Sequence, residues 1–213
     1  MAAAGGPFDR ITPGQAGEAV ASAPGRLKVS REKLLCFYPD FFSPLGVVKR
    51  HLLGHWEGVP YGVGLSSIAE HLDVGDSNAA VVISTSPLLV AAFTDEFDCI
   101  ALLKFPDKFA RLEKLDVGSR VLTSNAYMTG PKKPVRDLLV GPQATGRWHN
   151  VIPWIAHFLS DDTERMAELK RAIQPGLWKR TAELGAAFVK QHPGKARNGA
   201  PFLSHLPCIT TWA

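Results

Sequence analysis

The chain has 213 residues, 46% hydrophobic and 21% charged, which is long enough to bury a core without a disulfide or a structural metal. The formal net charge is +4, but the excess of Lys and Arg is spread over residues 96–213 rather than concentrated in one stretch. Nucleic-acid binding usually needs a concentrated basic face, so nucleic acid is not an expected partner.

The cysteines and the hydropathy pattern indicate the compartment. Cys36, Cys99 and Cys208 lie far apart and form no C-x-x-C pair, which is a poor disulfide framework and fits a reducing environment. No apolar run approaches the roughly 18–20 residues of a membrane span, and the N-terminus lacks the pattern of a secretory signal. The sequence therefore predicts a soluble, cytoplasmic protein without membrane contact.

Three regions differ in composition. Residues 1–26 are rich in Ala, Gly and Pro and have few large apolar groups, so they are predicted to form a flexible leader. Residues 27–194 are predicted to form a single globular domain. Residues 195–213 contain two prolines and no hydrophobic period, which predicts an irregular tail.

The N-terminal part of the domain is predicted to be helical. The aromatic segment LLCFYPDFF, residues 34–42, is interpreted as a core segment, with docking to a partner as the alternative. A helix is then predicted from the N-cap Ser43 to Gly58. A second helix is predicted at SSIAEHL, followed by a turn cluster over residues 73–78.

The middle of the chain is predicted to be a β-sheet. Five segments have strand length: 80–85, 88–93, 99–105, 119–128 and 135–141. The first three are apolar at nearly every position, which is typical of central strands covered by helices, and their short links favour antiparallel pairing. The final third, including residues 149–159, is predicted to be helical. The predicted fold class is α+β, with a central mostly antiparallel four- to five-stranded sheet, N-terminal helices and a C-terminal helical layer.

The stretch TDEFD, residues 94–98, places three carboxylates between two predicted strands. It lacks the length and the Gly of a calcium loop. Three acids this close repel one another, and no Arg, Lys or His lies nearby in the sequence to offset burial. The stretch is therefore interpreted as a tight antiparallel turn whose carboxylates stay in solvent.

Metal and cofactor motifs are incomplete. His51 and His55 have the i, i+4 spacing that can hold zinc, but Leu52 occupies the position of the metalloprotease base and no third ligand is evident. These two histidines are weak candidates only, and no metal is predicted. GVGLSS resembles a dinucleotide loop in part but does not follow an apolar strand, so no cofactor is predicted.

The best candidate for a binding surface is the Gly-flanked loop of residues 141–150. Gln143, Trp148 and Asn150 lie in it, and Tyr127 lies on the preceding strand. Binding groups are often carried by loops on a rigid scaffold. The alternative is a loop that leads into a helix, with polar groups that cap the helix and a Trp that packs.

Two functional hypotheses follow. The first is a non-catalytic interaction or regulatory protein, whose partner would be another protein or a second copy of the chain. The alternative is a small-molecule, hydrolase-like enzyme with His149 as general base, Arg147 stabilising an anion and an acid such as Asp98 or Asp137. The enzyme hypothesis requires His149 and a carboxylate to share one concave pocket.

Overall fold

The computed structural model describes residues 11–12, 23–43, 65–128, 134–141 and 147–200. The helices are α1 (Arg31–Phe37), α2 (Leu65–Val74), α3 (Lys108–Leu112), α4 (Thr163–Ala172) and α5 (Pro175–Gln191), with short 3-10 turns at Pro39–Phe41 and Ala156–Phe158. The strands are β1 (Ile11–Thr12), β2 (Ala23–Pro24), β3 (Asp76–Thr85), β4 (Leu88–Thr94), β5 (Cys99–Phe105), β6 (Arg120–Met128), β7 (Leu138–Val140), β8 (Asn150–Ile155) and β9 (Arg197–Asn198).

Six strands form the main sheet, in the order β8-β6-β3-β4-β5-β7, and all neighbours are antiparallel. The short β1 and β2 pair with β6 and β3, and β9 runs parallel to β5. The sheet curls into a half-barrel that packs against α5 and the N-terminal helices. The predicted α+β class with a mostly antiparallel sheet is confirmed.

Strands β4 and β5 are apolar at nearly every position because both of their faces are covered. On one face, Ala91, Phe93 and Ile100 form a cluster with Phe188 of α5. The helix lies close to the sheet here, since a Cβ added at Gly185 would lie 2.5 Å from the Cβ of Ala91. The other face belongs to the main core.

The aromatic segment at residues 34–42 lies in this core. Leu34, Phe37, Tyr38 and Phe41 are all buried, and the ring of Phe37 meets that of Phe109 edge-on at 4.7 Å. The aromatic groups therefore fill the interior and offer little surface to a partner, as the core interpretation expected.

Several elements differ from the sequence prediction. Residues 150–155 form the edge strand β8, whereas a helix was predicted. The sequence could not distinguish the two, because a short apolar run that is buried on both faces has no hydrophobic period. Strand β3 begins at Asp76, inside the predicted turn cluster. Pro175 is the first residue of α5, a position where its missing N–H has no cost. The helix predicted from Ser43 to Gly58 lies largely outside the described residues.

The ends of the described chain take part in the sheet. Ala23 and Pro24, assigned by sequence to the leader, pair with β3, and Leu27 donates a backbone hydrogen bond to Leu72 O. Arg197 and Asn198, assigned to the tail, form β9 beside β5.

Candidate functional site

A buried polar cluster lies on one face of the sheet. Asp76 and Asn78 of β3 pair directly with Asn125 and Thr123 of β6, so their side chains share a face with that of Tyr127. All five residues are buried. Side chains from strands that are not neighbours meet here, which places the cluster on the inside of the curl.

Hydrogen bonds connect this cluster to the end of β4. The hydroxyls of Thr94 and Tyr127 are 2.7 Å apart, and Asn78 donates to the Asp95 carboxylate at 2.9 Å. Asn125 donates to the Phe93 carbonyl at 3.0 Å. Burial, and to a lesser extent the charge of Asp76, raises the pKa of the Tyr127 hydroxyl well above its usual value, so Tyr127 acts as a neutral phenol.

Beside this cluster is a surface that we call the rim, defined by Glu96, Arg147 and Trp148. The ring of Trp148 stacks on Tyr127 at 5.1 Å and its Nε1 donates to Glu96 Oε2 at 3.1 Å. The guanidinium of exposed Arg147 lies 4.8 Å from the centre of the Trp148 ring. Burial raises the pKa of Glu96, and the Trp148 hydrogen bond and the Arg147 charge oppose that rise.

Asp98 is buried in the turn between β4 and β5, so the interpretation that its carboxylate stays in solvent is wrong. Its carboxylate pairs with Arg180 of α5 at 2.5 Å, and its carbonyl accepts a hydrogen bond from the Gly141 amide at 2.6 Å. The cation that compensates this charge comes from a helix 82 positions away in sequence. Local sequence carries no sign of such a partner.

Asp137 is also paired with an arginine. Arg197 holds both oxygens of its carboxylate at 2.6 Å. The same guanidinium donates to the carbonyl of Val151 and to the side-chain oxygen of Asn150. Both carboxylates considered for catalysis therefore have structural partners.

The predicted loop residues have separate environments. His149 is half-buried, and its backbone joins two chain segments: its amide donates to Met128 O and its carbonyl accepts from the Val135 amide. Trp148 is buried between Tyr127 and the Glu96 carboxylate, and Asn150 is buried beside Arg197. Gln143 lies outside the described residues.

The described part of the chain gives no evidence for a metal-binding site. His51 and His55 lie outside the described ranges. Within them, no group of three or more His, Cys, Asp or Glu side chains is arranged to hold a metal ion. Cys99 is a buried thiol whose pKa is raised by burial, which makes it a poor nucleophile.

Two arginines important for this region were not identified from sequence. No motif in the sequence includes Arg180, and Arg197 was assigned to the irregular tail. Their partners lie 82 and 60 positions away, so only the tertiary fold reveals the pairs.

No protein-family model, curated protein or solved structure matches this chain. Among the helices that the structure describes, none has both the length and the hydropathy needed to cross a bilayer.

Proposed function

We propose that this protein is a non-catalytic interaction or regulatory protein that recognises a protein partner through the rim of Glu96, Arg147 and Trp148. The observation that carries the proposal is the pairing of Asp98 and Asp137 with Arg180 and Arg197. Each of these carboxylates is engaged by an arginine from another part of the chain, so its burial has a structural explanation without catalysis. The hypothesis of hydrolysis is therefore less well supported than that of recognition.

The rim has the residue types and the rigidity of a recognition surface. Arg147 is the exposed residue of the rim, and Arg is enriched among residues that dominate binding energy. The ring of Trp148 stacks on Tyr127 and donates a hydrogen bond to Glu96, so its position is fixed. The exposed Arg147 guanidinium therefore lies over a rigid ring. A pre-ordered side chain loses less conformational entropy on binding.

The chemistry of the rim favours a partner that presents a carboxylate to Arg147. A planar guanidinium forms two parallel hydrogen bonds to a carboxylate, and stacking on an indole orients it for that contact. We place this function in the cytoplasm, because Cys36 and Cys99 are free thiols, as expected in a reducing compartment.

The proposal is tested by quantitative affinity purification from the native host with the wild type and two alanine variants. Arg147→Ala removes the rim cation, and Lys179→Ala removes a cation from a fully solvated part of α5, where its side chain is 78% exposed. A protein partner that is lost with Arg147→Ala and retained with Lys179→Ala is the expected result.

Two results would overturn the proposal. One is a captured set that is the same for Arg147→Ala and the wild type. The other is turnover of an ester or phosphoester substrate that disappears in His149→Ala. Analytical ultracentrifugation of the same variants shows whether the partner is a second copy of this chain.

A further inference from the structure

The two edges of the curled sheet meet at a seam, defined by residues 134–141 on one side and 147–151 on the other. Within the described residues, one backbone hydrogen bond crosses it, from the Val135 amide to His149 O at 3.0 Å. Strand β7 pairs with β5 only over Cys99–Ala101, whereas β4 pairs with β5 along its whole length. Backbone pairing alone therefore makes the seam the weakest junction of the sheet.

The side chain of Arg197 crosses this seam. Nε and Nη2 donate to Asp137 on one side, while Nη1 donates to Val151 O at 2.7 Å and Nη2 to Asn150 Oδ1 at 2.9 Å on the other. Its backbone is anchored separately, in β9 beside Leu103 of β5. One residue thus ties β5 and β8 to the segment that precedes β7.

Burial makes this tie decisive. The side chains of Arg197 and Asp137 are only 6% and 4% exposed. Without Arg197, the Asp137 carboxylate would be a buried, uncompensated charge, which is strongly unfavourable. If residues 134–141 move into solvent, the Asp137 carboxylate becomes hydrated, and only the few contacts that hold the seam are lost.

We propose that residues 195–198 form a strap that locks the half-barrel shut. When the strap is docked, the seam is closed over an aromatic group on the inside of the curl that includes Tyr127 and Trp148. When it is undocked, residues 134–141 separate from β8 and expose this group, while the central strands stay folded. This inference goes beyond the proposed function and does not depend on the rim being a recognition surface.

Hydrogen exchange followed by mass spectrometry tests the strap. In Arg197→Ala, amides of the seam are expected to exchange at least about 100-fold faster, because local opening then replaces global unfolding as their exchange route. Amides of Leu88–Thr94 in β4 are expected to keep their wild-type rates. Lys179→Ala, which removes a cation from a side chain that is 78% exposed on α5, is the control and should leave the seam unchanged.

A second variant separates charge from packing. Arg197→Ala combined with Asp137→Ala removes both charges, so seam exchange should fall back toward the wild-type rate. If the seam exchanges as fast in the double variant as in Arg197→Ala, the lost hydrogen bonds of Arg197 rather than the stranded carboxylate open the seam, which also supports the strap.

Two other outcomes count against the strap: unchanged seam exchange in Arg197→Ala, or acceleration that is equal in β4 and the seam. If Arg197→Ala does not fold, Arg197→Lys decides the matter, since it keeps the charge but loses the forked geometry. A smaller acceleration confined to the seam supports the strap, and a uniform change or none overturns it.

Discussion

Two arginine–aspartate pairs lie beside β5, and they differ in almost everything except residue type. At the seam, Arg197 meets both oxygens of Asp137 and has two further acceptors, all of them buried. At the β4–β5 turn, Arg180 makes one hydrogen bond to Asp98, is 35% exposed, and its buried Nε has no hydrogen-bond partner.

The difference indicates that burial and hydrogen-bond satisfaction, rather than the mere presence of an ion pair, determine how much the pair contributes to stability. A pair whose arginine reaches water contributes little to stability, because solvent can replace either partner. A fully buried pair cannot be divided without stranding a charge. The Arg180–Asp98 pair holds α5 against the β4–β5 turn, and the Arg197–Asp137 pair joins the two edges of the sheet.

The largest predicted effect is the contrast between Asp137→Ala and Asp98→Ala. Loss of Asp137 strands the Arg197 guanidinium and is expected to lower the free energy of unfolding by about 3 kcal/mol. Loss of Asp98 leaves Arg180 with access to water and should lower it by about 1 kcal/mol. Urea denaturation followed by circular dichroism measures both values, and equal losses would refute the comparison.

A smaller effect is expected from Gly141→Ala, which disturbs the turn without removing a charge. A Cβ at Gly141 would overlap the Asp98 carboxylate and force it away from Arg180, which should cost about 1–2 kcal/mol of stability. Gly176→Ala is the control: its Cβ meets nothing within 4 Å, and Ala in the first turn of α5 should stabilise by up to about 1 kcal/mol. Similar results for both variants would mean that the turn tolerates displacement of Asp98.

His157 also contributes to the pH dependence of the free energy of unfolding, so its contribution must be known before the two ion pairs are compared at acidic pH. Burial, together with the charges of Lys170 and Lys33, lowers the pKa of His157 to about 3, and its Nδ1 accepts a hydrogen bond from the Leu122 amide. Between pH 6.5 and about 3, the unfolded chain binds a proton at His157 that the folded chain does not. Stability therefore falls as the pH falls through this window and levels off below it.

His157→Asn keeps an acceptor for the Leu122 amide and cannot take up that proton. The partly exposed ring limits the effect to about 1 kcal/mol per pH unit. We expect denaturation midpoints of the variant to depend less steeply on pH than those of the wild type. Parallel profiles from pH 6 to pH 4 would show that His157 does not contribute.

The smallest expected effect is that of salt. Raising NaCl from 0.05 M to 0.5 M should reduce the stability difference between the wild type and Asp98→Ala by about 0.3 kcal/mol, because ions screen the partly exposed Arg180. The difference for Asp137→Ala should stay constant. A salt dependence of the second difference would indicate that water reaches the seam.

The sequence predicted those parts of the fold that short-range patterns determine. Apolar runs of strand length identified β4 and β5, and the polar stretch between them identified their turn. Strand β8 was predicted to be helical because Asn150–Ile155 is buried on both faces and shows no alternation. Its strand state is determined by pairing with β6, a long-range contact.

The candidate site was less predictable for the same physical reason. Trp148 and Tyr127 were identified from residue type, but their stacking and the contact of Trp148 with Glu96 depend on how the sheet curls. Asp98 was expected to be solvated because no cation is near it in sequence, and Arg180 overturned that expectation from α5. Electrostatic compensation acts through space and leaves no local pattern.

The position of Arg197 in the chain also has a consequence for biosynthesis. Its guanidinium is translated 60 residues after Asp137 and 47 after Asn150, the groups that it joins. At translation rates of roughly 5–20 residues per second, the nascent chain waits about 3–12 s after Asp137 is made before its partner exists. During that interval the Asp137 carboxylate and the Asn150 side chain lack the guanidinium that joins them in the folded protein.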